Sequence, residues 1–161
     1  MPRHDIKKIR PNKRYKGGRI NPASCHKLYE SQKAAPIIFR SSYERDFIYW
    51  LERSPQVVHW GSECVGIPYI NLRDGTKHTY YPDYIMEVLK DKNDPSQGTQ
   101  TILVEIKPFN QTQPPNPTLP KDSYAWLEYI RNRSKWQAAL EFCKRNNFLF
   151  KIFTERTISR L

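Results

Sequence analysis

The spacing of apolar residues divides the chain into elements before any other property is considered. Tyr43, Phe47, Ile48, Trp50 and Leu51 recur at helical intervals, Ser41 or Ser42 opens the run, and Ser54-Pro55 closes it. This predicts a helix over roughly 42–53 with one apolar stripe. A run of strands follows. Val57 to Trp60 reads as a short strand and Glu63 to Tyr69 as another, with Val65 and Ile67 on one face; Asp74-Gly75 reads as a hairpin turn. Lys77 to Leu89 alternates as a long strand interrupted by Pro82. Proline has no amide hydrogen to give to a ladder, so an edge or a bulge is expected there. Thr101 to Lys107, carrying Ile102-Leu103-Val104, has the signature of a buried strand. A loop over 108–120 holds five prolines. Residues 121 to about 147 then read as helical, as one helix or as two broken near Ser134, with Trp136, Ala139, Leu140 and Cys143 at i, i+3, i+4 and i+7. Phe148 to Thr154 closes the pattern as an aromatic-rich strand. The order helix, strands, helix, strand predicts an α/β fold: a mixed sheet flanked by helices.

Residues 1–35 show no sustained period and are punctuated by Pro11, Gly17-Gly18 and Pro22. They read as an irregular arm ahead of a domain spanning 36–161, with Tyr15, Ile20, Leu28 and Tyr29 as its means of packing on the body. Charge sharpens this division. Residues 1–40 hold 11 of the 27 Lys and Arg but only two of the 16 Asp and Glu, within a net charge of +11. A basic arm on a nearly neutral body points to a polyanionic partner, with nucleic acid as the expected one. Lys7, Lys8, Arg10, Lys13, Arg14, Lys16 and Arg19 are the candidate phosphate contacts. The plainer alternative is a solubilising tail. No stretch approaches the roughly 20 apolar residues needed to cross a bilayer, so no membrane role is expected. The N-terminus lacks the apolar core of a secretory signal. Cys25, Cys64 and Cys143 form no CxxC pair, which argues against structural zinc and suits a reducing cytoplasm.

The chemistry concentrates in Tyr81-Pro82-Asp83 and Val104-Glu105-Ile106-Lys107. Alternate residues of a strand share a face, so Glu105 and Lys107 point one way while Val104 and Ile106 enter the opposite packing layer. Charges in a buried strand are costly unless they pair or bind a metal. Asp83 and Glu105 offer hard oxygens to a divalent cation, Mg²⁺ or Mn²⁺. Such a cation polarises a scissile phosphate and acidifies a bound water. Lys107 suits the stabilisation of developing negative charge. Glu44 falls on the inward stripe of the first helix and adds a third carboxylate, although Ser41-x-x-Glu44 also reads as a capping box. Asp83 alone reads as a turn carboxylate, and Glu105 with Lys107 as an exposed charge pair; the ordered set is more specific than any member. Glu63 is an accessory candidate, with a solvated strand end as its alternative. Lys135 and Gln137, from the late helix, are further accessory candidates. His59 and His78 read as surface or packing residues, and the four tryptophans mainly as core.

The order Glu44, Pro82-Asp83, Glu105-x-Lys107 resembles the restriction-endonuclease-like PD-(D/E)xK superfamily. The text around it is narrower: Phe39-Arg40-Ser41-Ser42-Tyr43-Glu44, Val58-x-Trp60-x-Ser62-Glu63, Tyr80-Tyr81-Pro82-Asp83-Tyr84, Val104-Glu105-Ile106-Lys107-Pro108 and Gln111-Thr112-Gln113-Pro114-Pro115. These segments, with Lys135-Trp136, resemble the head-completion nucleases of T-even-like tailed phages across about residues 35–155. They are similar, more loosely, to the endonuclease subunit of heteromeric transposases. The resemblance implies Mg²⁺-dependent cutting of DNA during phage head completion, with head or neck proteins as partners, in the host cytoplasm or the virion. Two other functions compete: a transposase or restriction-type endonuclease subunit, and a non-catalytic DNA-binding protein of the phage head.

Overall fold

The computed structural model describes residues 17–161. Its centre is a four-stranded mixed sheet of order β3-β6-β7-β8. These strands are Val57–Ser62, Tyr84–Leu89, Thr99–Ile106 and Leu149–Phe153. β3 with β6 and β6 with β7 are antiparallel, whereas β7 and β8 are parallel. The parallel pair needs a crossover, and α2 (Tyr124–Asn146) supplies it. The sheet separates two apolar clusters. On one face Phe47, Ile48 and Leu51 of α1 (Ser42–Arg53) pack with Trp60, Tyr84, Met86, Ile102, Val104 and Ile106. On the other, Trp136, Ala139 and Cys143 of α2 pack with Leu103 and with Ile67, Tyr69 and Tyr80. The last three belong to a hairpin of β4 (Ile67–Ile70) and β5 (Lys77–Tyr80).

The boundary expected at residue 36 is not where the fold begins. β1 (Gly18–Ile20) pairs antiparallel with β2 (Ile37–Phe39), and Cys25 and Leu28 are buried in the core of the α1 face. The cause is visible at Glu52. Its carboxylate accepts from the amides of His26 and Lys27 at 2.8 and 3.1 Å and from the Trp60 indole at 2.7 Å. A segment without periodicity is thus fixed by the short β1–β2 ladder, by backbone bonds to Trp60 and by the Glu52 carboxylate. Arg19 is exposed on β1. Lys7, Lys8, Arg10, Lys13, Arg14 and Lys16 lie outside the described residues.

Other boundaries also shift. The strand expected over 63–69 begins only at Ile67, because Glu63 adopts φ 48° and turns the chain. Asp74-Gly75 does sit in the β4–β5 turn, with Gly75 at φ 72°, in a loop running from Asn71 to Thr76. The long strand over 77–89 is two strands on different sheets, divided at Pro82. α2 runs unbroken through Ser134. That hydroxyl donates to the carbonyl of Ile130 and accepts from the Leu72 amide, so the helix keeps its polar residue and ties the β4–β5 loop to it. A short helix, α3 (Glu155–Ile158), follows β8 and had no periodic signal to announce it.

Candidate active site

The break at Pro82 builds the site. In the β6–β7 ladder Tyr84 faces Val104, so one further step places Asp83 opposite Glu105. The ladder cannot continue beyond Asp83, and the Ile106 amide donates to its carboxylate instead, at 2.7 Å. Glu105 is 4% exposed. Its Oε2 accepts from the Tyr80 hydroxyl at 2.6 Å, and its Oε1 stands 3.2 Å from the Lys107 ammonium. Strand alternation therefore holds as expected: Val104 and Ile106 enter the α1 core, while Glu105 and Lys107 face the α2 side.

Electrostatics follow from this crowding. Burial, then the charges of Glu105 and Glu44, push the Asp83 carboxyl well above its ordinary value. The Ile106 amide and Lys107 oppose that rise without cancelling it. Burial works against the charge of Lys107, but Glu105 and then Asp83 outweigh it, and its pKa is raised. Burial, then Glu105, drives the Tyr80 phenol upward, so it remains a hydrogen-bond donor.

Glu44 borders this group. Ser41 Oγ accepts from the Glu44 amide at 3.1 Å, and Glu44 Oε2 accepts from the Arg40 amide at 2.9 Å. The capping role is thus realised, shifted by one residue from the standard box, while the carboxylate remains close enough to raise Asp83. Its own pKa is raised, chiefly by burial. Glu63 is locked by Arg40 through contacts of 2.6 and 3.2 Å. Arg40 also feels Glu44 and Asp83. Neither Arg40 nor Tyr80 stood out in the sequence as a site residue. Arg40 merged with the basic arm, and a strand tyrosine carries no local signal of a carboxylate 25 positions away.

Lys135 lies on the inward face of α2, with its ammonium 5.6 Å from the centre of the Tyr80 ring. Gln137 is exposed. Two positions on a helix are about 200° apart, so both cannot face the sheet. His59 is exposed and contacts Glu87, and His78 contacts Thr76, as surface residues do. Trp60 and Trp136 are core. A cleft of about 600 Å³ between α1 and α3, lined by Tyr43, Trp50, Arg53 and Ile158 among others, lies on the other helix layer and takes no part in this chemistry.

The donor set suits a hard divalent cation. Asp83 and Glu105 are two mutually repelling carboxylates, and Mg²⁺ characteristically takes one or two carboxylates while keeping several waters. Among the described residues, however, no three His, Cys, Asp or Glu side chains make a ready-formed metal cage. Of the three expected carboxylates, Asp83 and Glu105 stand opposite one another, and Glu44 caps its helix while its charge still reaches Asp83.

Comparison with known proteins fits this arrangement. Residues 54–155 match the TnsA-like endonuclease N-terminal family. The chain belongs to that family. The chain is also 34% identical to the head completion nuclease of Enterobacteria phage T4, over 74% of this chain and 79% of the relative. Its mixed sheet with flanking helices is the restriction-endonuclease-like fold of the family. Nuclease action on DNA is the class of activity that the membership supports. No helix among the described residues is long and apolar enough to cross a membrane.

Proposed function

We propose that this protein is a metal-dependent nuclease that hydrolyses phosphodiester bonds of double-stranded DNA during phage head completion. The observation that carries the chemistry is the juxtaposition of Asp83 and Glu105 across the β6–β7 ladder, with Lys107 3.2 Å from Glu105. Asp83 and Glu105 would hold Mg²⁺ or Mn²⁺, with Glu44 adding negative charge at the border. A divalent cation there supplies Lewis-acid polarisation of the phosphate. Lys107 keeps its proton, orients the attacking water and offsets charge gathering on the phosphate oxygens. Tyr80 holds Glu105 in one orientation. The Ile106 amide does the same for Asp83.

The phage setting draws on the T4 relative, a head completion nuclease. It would bring head or neck proteins as partners and place the protein in the host cytoplasm or the virion. Supercoiled plasmid should be nicked or linearised with Mg²⁺ and left intact with chelator, and Lys107→Ala should be inactive beside it. Equal cutting by wild type and Lys107→Ala would sink the mechanism. A second reading, a subunit of a heteromeric transposase, draws on the family match. Cutting that required a second purified subunit would favour it.

A further inference from the structure

α2 turns one face to the sheet and the β4–β5 hairpin, formed by Asn132, Trp136, Ala139 and Cys143. Lys135 borders that sector, three residues after Asn132 and four before Ala139, and is half-buried. A long cationic side chain at such a place must lead its charge somewhere. Here it runs to the Tyr80 ring, whose hydroxyl is bonded to Glu105, on the sheet face that also carries Lys107. Among the described residues no carboxylate lies within 4.0 Å of the Lys135 ammonium. Lys107, in contrast, is paired with Glu105. Burial, then repulsion from Lys107, pushes the Lys135 pKa down. A half-buried ammonium beside a second one is unfavourable unless an anion joins them.

We propose that Lys135 is a substrate-binding residue that grips a non-bridging phosphate oxygen of the cleaved DNA strand, so that Lys135 and Lys107 form a two-cation seat for that phosphate. The seat has unequal members. Lys107, tied to Glu105, acts where charge develops during reaction. Lys135, with no carboxylate at contact distance, exchanges water for phosphate as DNA arrives and acts already in the bound ground state. Loss of a ground-state contact raises KM and leaves kcat nearly unchanged. The Lys135 ammonium lies over the Tyr80 ring at 5.6 Å, and Lys135→Met removes the charge while keeping an unbranched chain of similar length.

The inference rests on the nuclease reading, and the test separates the two. Plasmid nicking with Mg²⁺ is measured for wild type, Lys135→Met and Lys135→Arg, with thermal melts for each. Lys135→Met should raise KM by roughly tenfold to hundredfold, the size of one lost charge-assisted contact, with kcat almost unchanged. Lys135→Arg should recover most of that loss. Binding to a short labelled duplex in Ca²⁺, by fluorescence anisotropy, should lose about 0.9 from the slope of log affinity against log salt in Lys135→Met. This second measurement needs no cutting, and if Lys135→Met fails to fold, Lys135→Gln takes its place in both. A wild-type KM with a wild-type salt slope would overturn the inference while leaving the nuclease reading intact. So would a fall in kcat alone. A wild-type protein that binds DNA but shows no Mg²⁺-dependent nicking would sink the nuclease reading; the Ca²⁺ slope would still decide whether Lys135 binds phosphate.

Discussion

The amide of Ile106 donates to the Asp83 carboxylate at 2.7 Å, across the point where β6 and β7 cease to pair. This bond holds the carboxylate opposite Glu105, and the repulsion between the two is built into the fold. This has a consequence for pH. The Asp83 carboxyl is raised well above its ordinary 3.8, by burial first and then by Glu105 and Glu44. A raised acid contributes stability that is full below 3.8 and is lost as pH climbs through the raised folded value. Urea unfolding in chelator should therefore show wild type losing stability relative to Asp83→Asn as pH rises above the ordinary aspartate value of 3.8. Parallel curves for the two proteins would count against the strained carboxylate. Added Mg²⁺ should stabilise wild type most at the alkaline end and Asp83→Asn little.

Lys107 separates enzyme from scaffold. Removing one preorganised donor to developing charge typically costs about 10²–10³ in rate. Lys107→Ala should lose activity on that scale, in single-turnover nicking, with DNA affinity nearly unchanged. Lys107→Arg should not recover fully, since a planar fork replaces a compact charge.

Glu105→Ala should impair metal binding and cutting together, read by calorimetry with Mg²⁺ or Mn²⁺ and by nicking. Tyr80→Phe removes one hydrogen bond to that carboxylate and should give a milder version of the same defect, roughly tenfold in rate or metal affinity. A Tyr80→Phe protein indistinguishable from wild type in both would show that Glu105 needs no such support.

Glu52 is the structural counterpart. Its carboxylate satisfies three donors from two separate segments, one of them the indole of fully buried Trp60. Glu52→Ala should lower unfolding free energy by roughly 2–4 kcal/mol in denaturant titrations. Proteolysis should then begin within residues 17–35, the segment the carboxylate ties down.

The basic N-terminal residues should act through phosphate counterion release. Removing residues 1–16 takes away six of the seven candidate DNA contacts and leaves β1 in place. Affinity should fall and its salt dependence flatten, while Mg²⁺-dependent cutting persists at low salt. An unchanged salt slope would assign those charges to a protein partner.

Much of this architecture was legible because strong local signals agreed with the tertiary arrangement. The α1 stripe, the hydrophobic core of β7 and the ladder break at Pro82 each have a cause local in sequence. Alternation alone put Glu105 and Lys107 on one face. What escaped depended on contacts distant in sequence. Residues 17–35 hold their place through Glu52 and Trp60, and no periodicity encodes that. Glu63 bends the chain at φ 48° under its pairing with Arg40, against the extended reading of its neighbours. α3 spans four residues, too few for a helical pattern. Lys135 and Gln137 lie about 200° apart on α2, and it is Lys135 that is half-buried while Gln137 is exposed.

The β6–β7 register sets different tolerances for changing a residue and for changing the chain's length. Tyr84 to Leu89 run against Val104 to Thr99, and the connection between them occupies residues 90–98. Apolar exchanges within these strands leave the opposition of Asp83 and Glu105 untouched. One residue inserted into either strand would rotate everything beyond it to the other face and send a carboxylate into the α1 core. The connection carries no such phase and can lengthen or shorten freely. Relatives that keep this chemistry should therefore differ in length between the two carboxylates only in that loop.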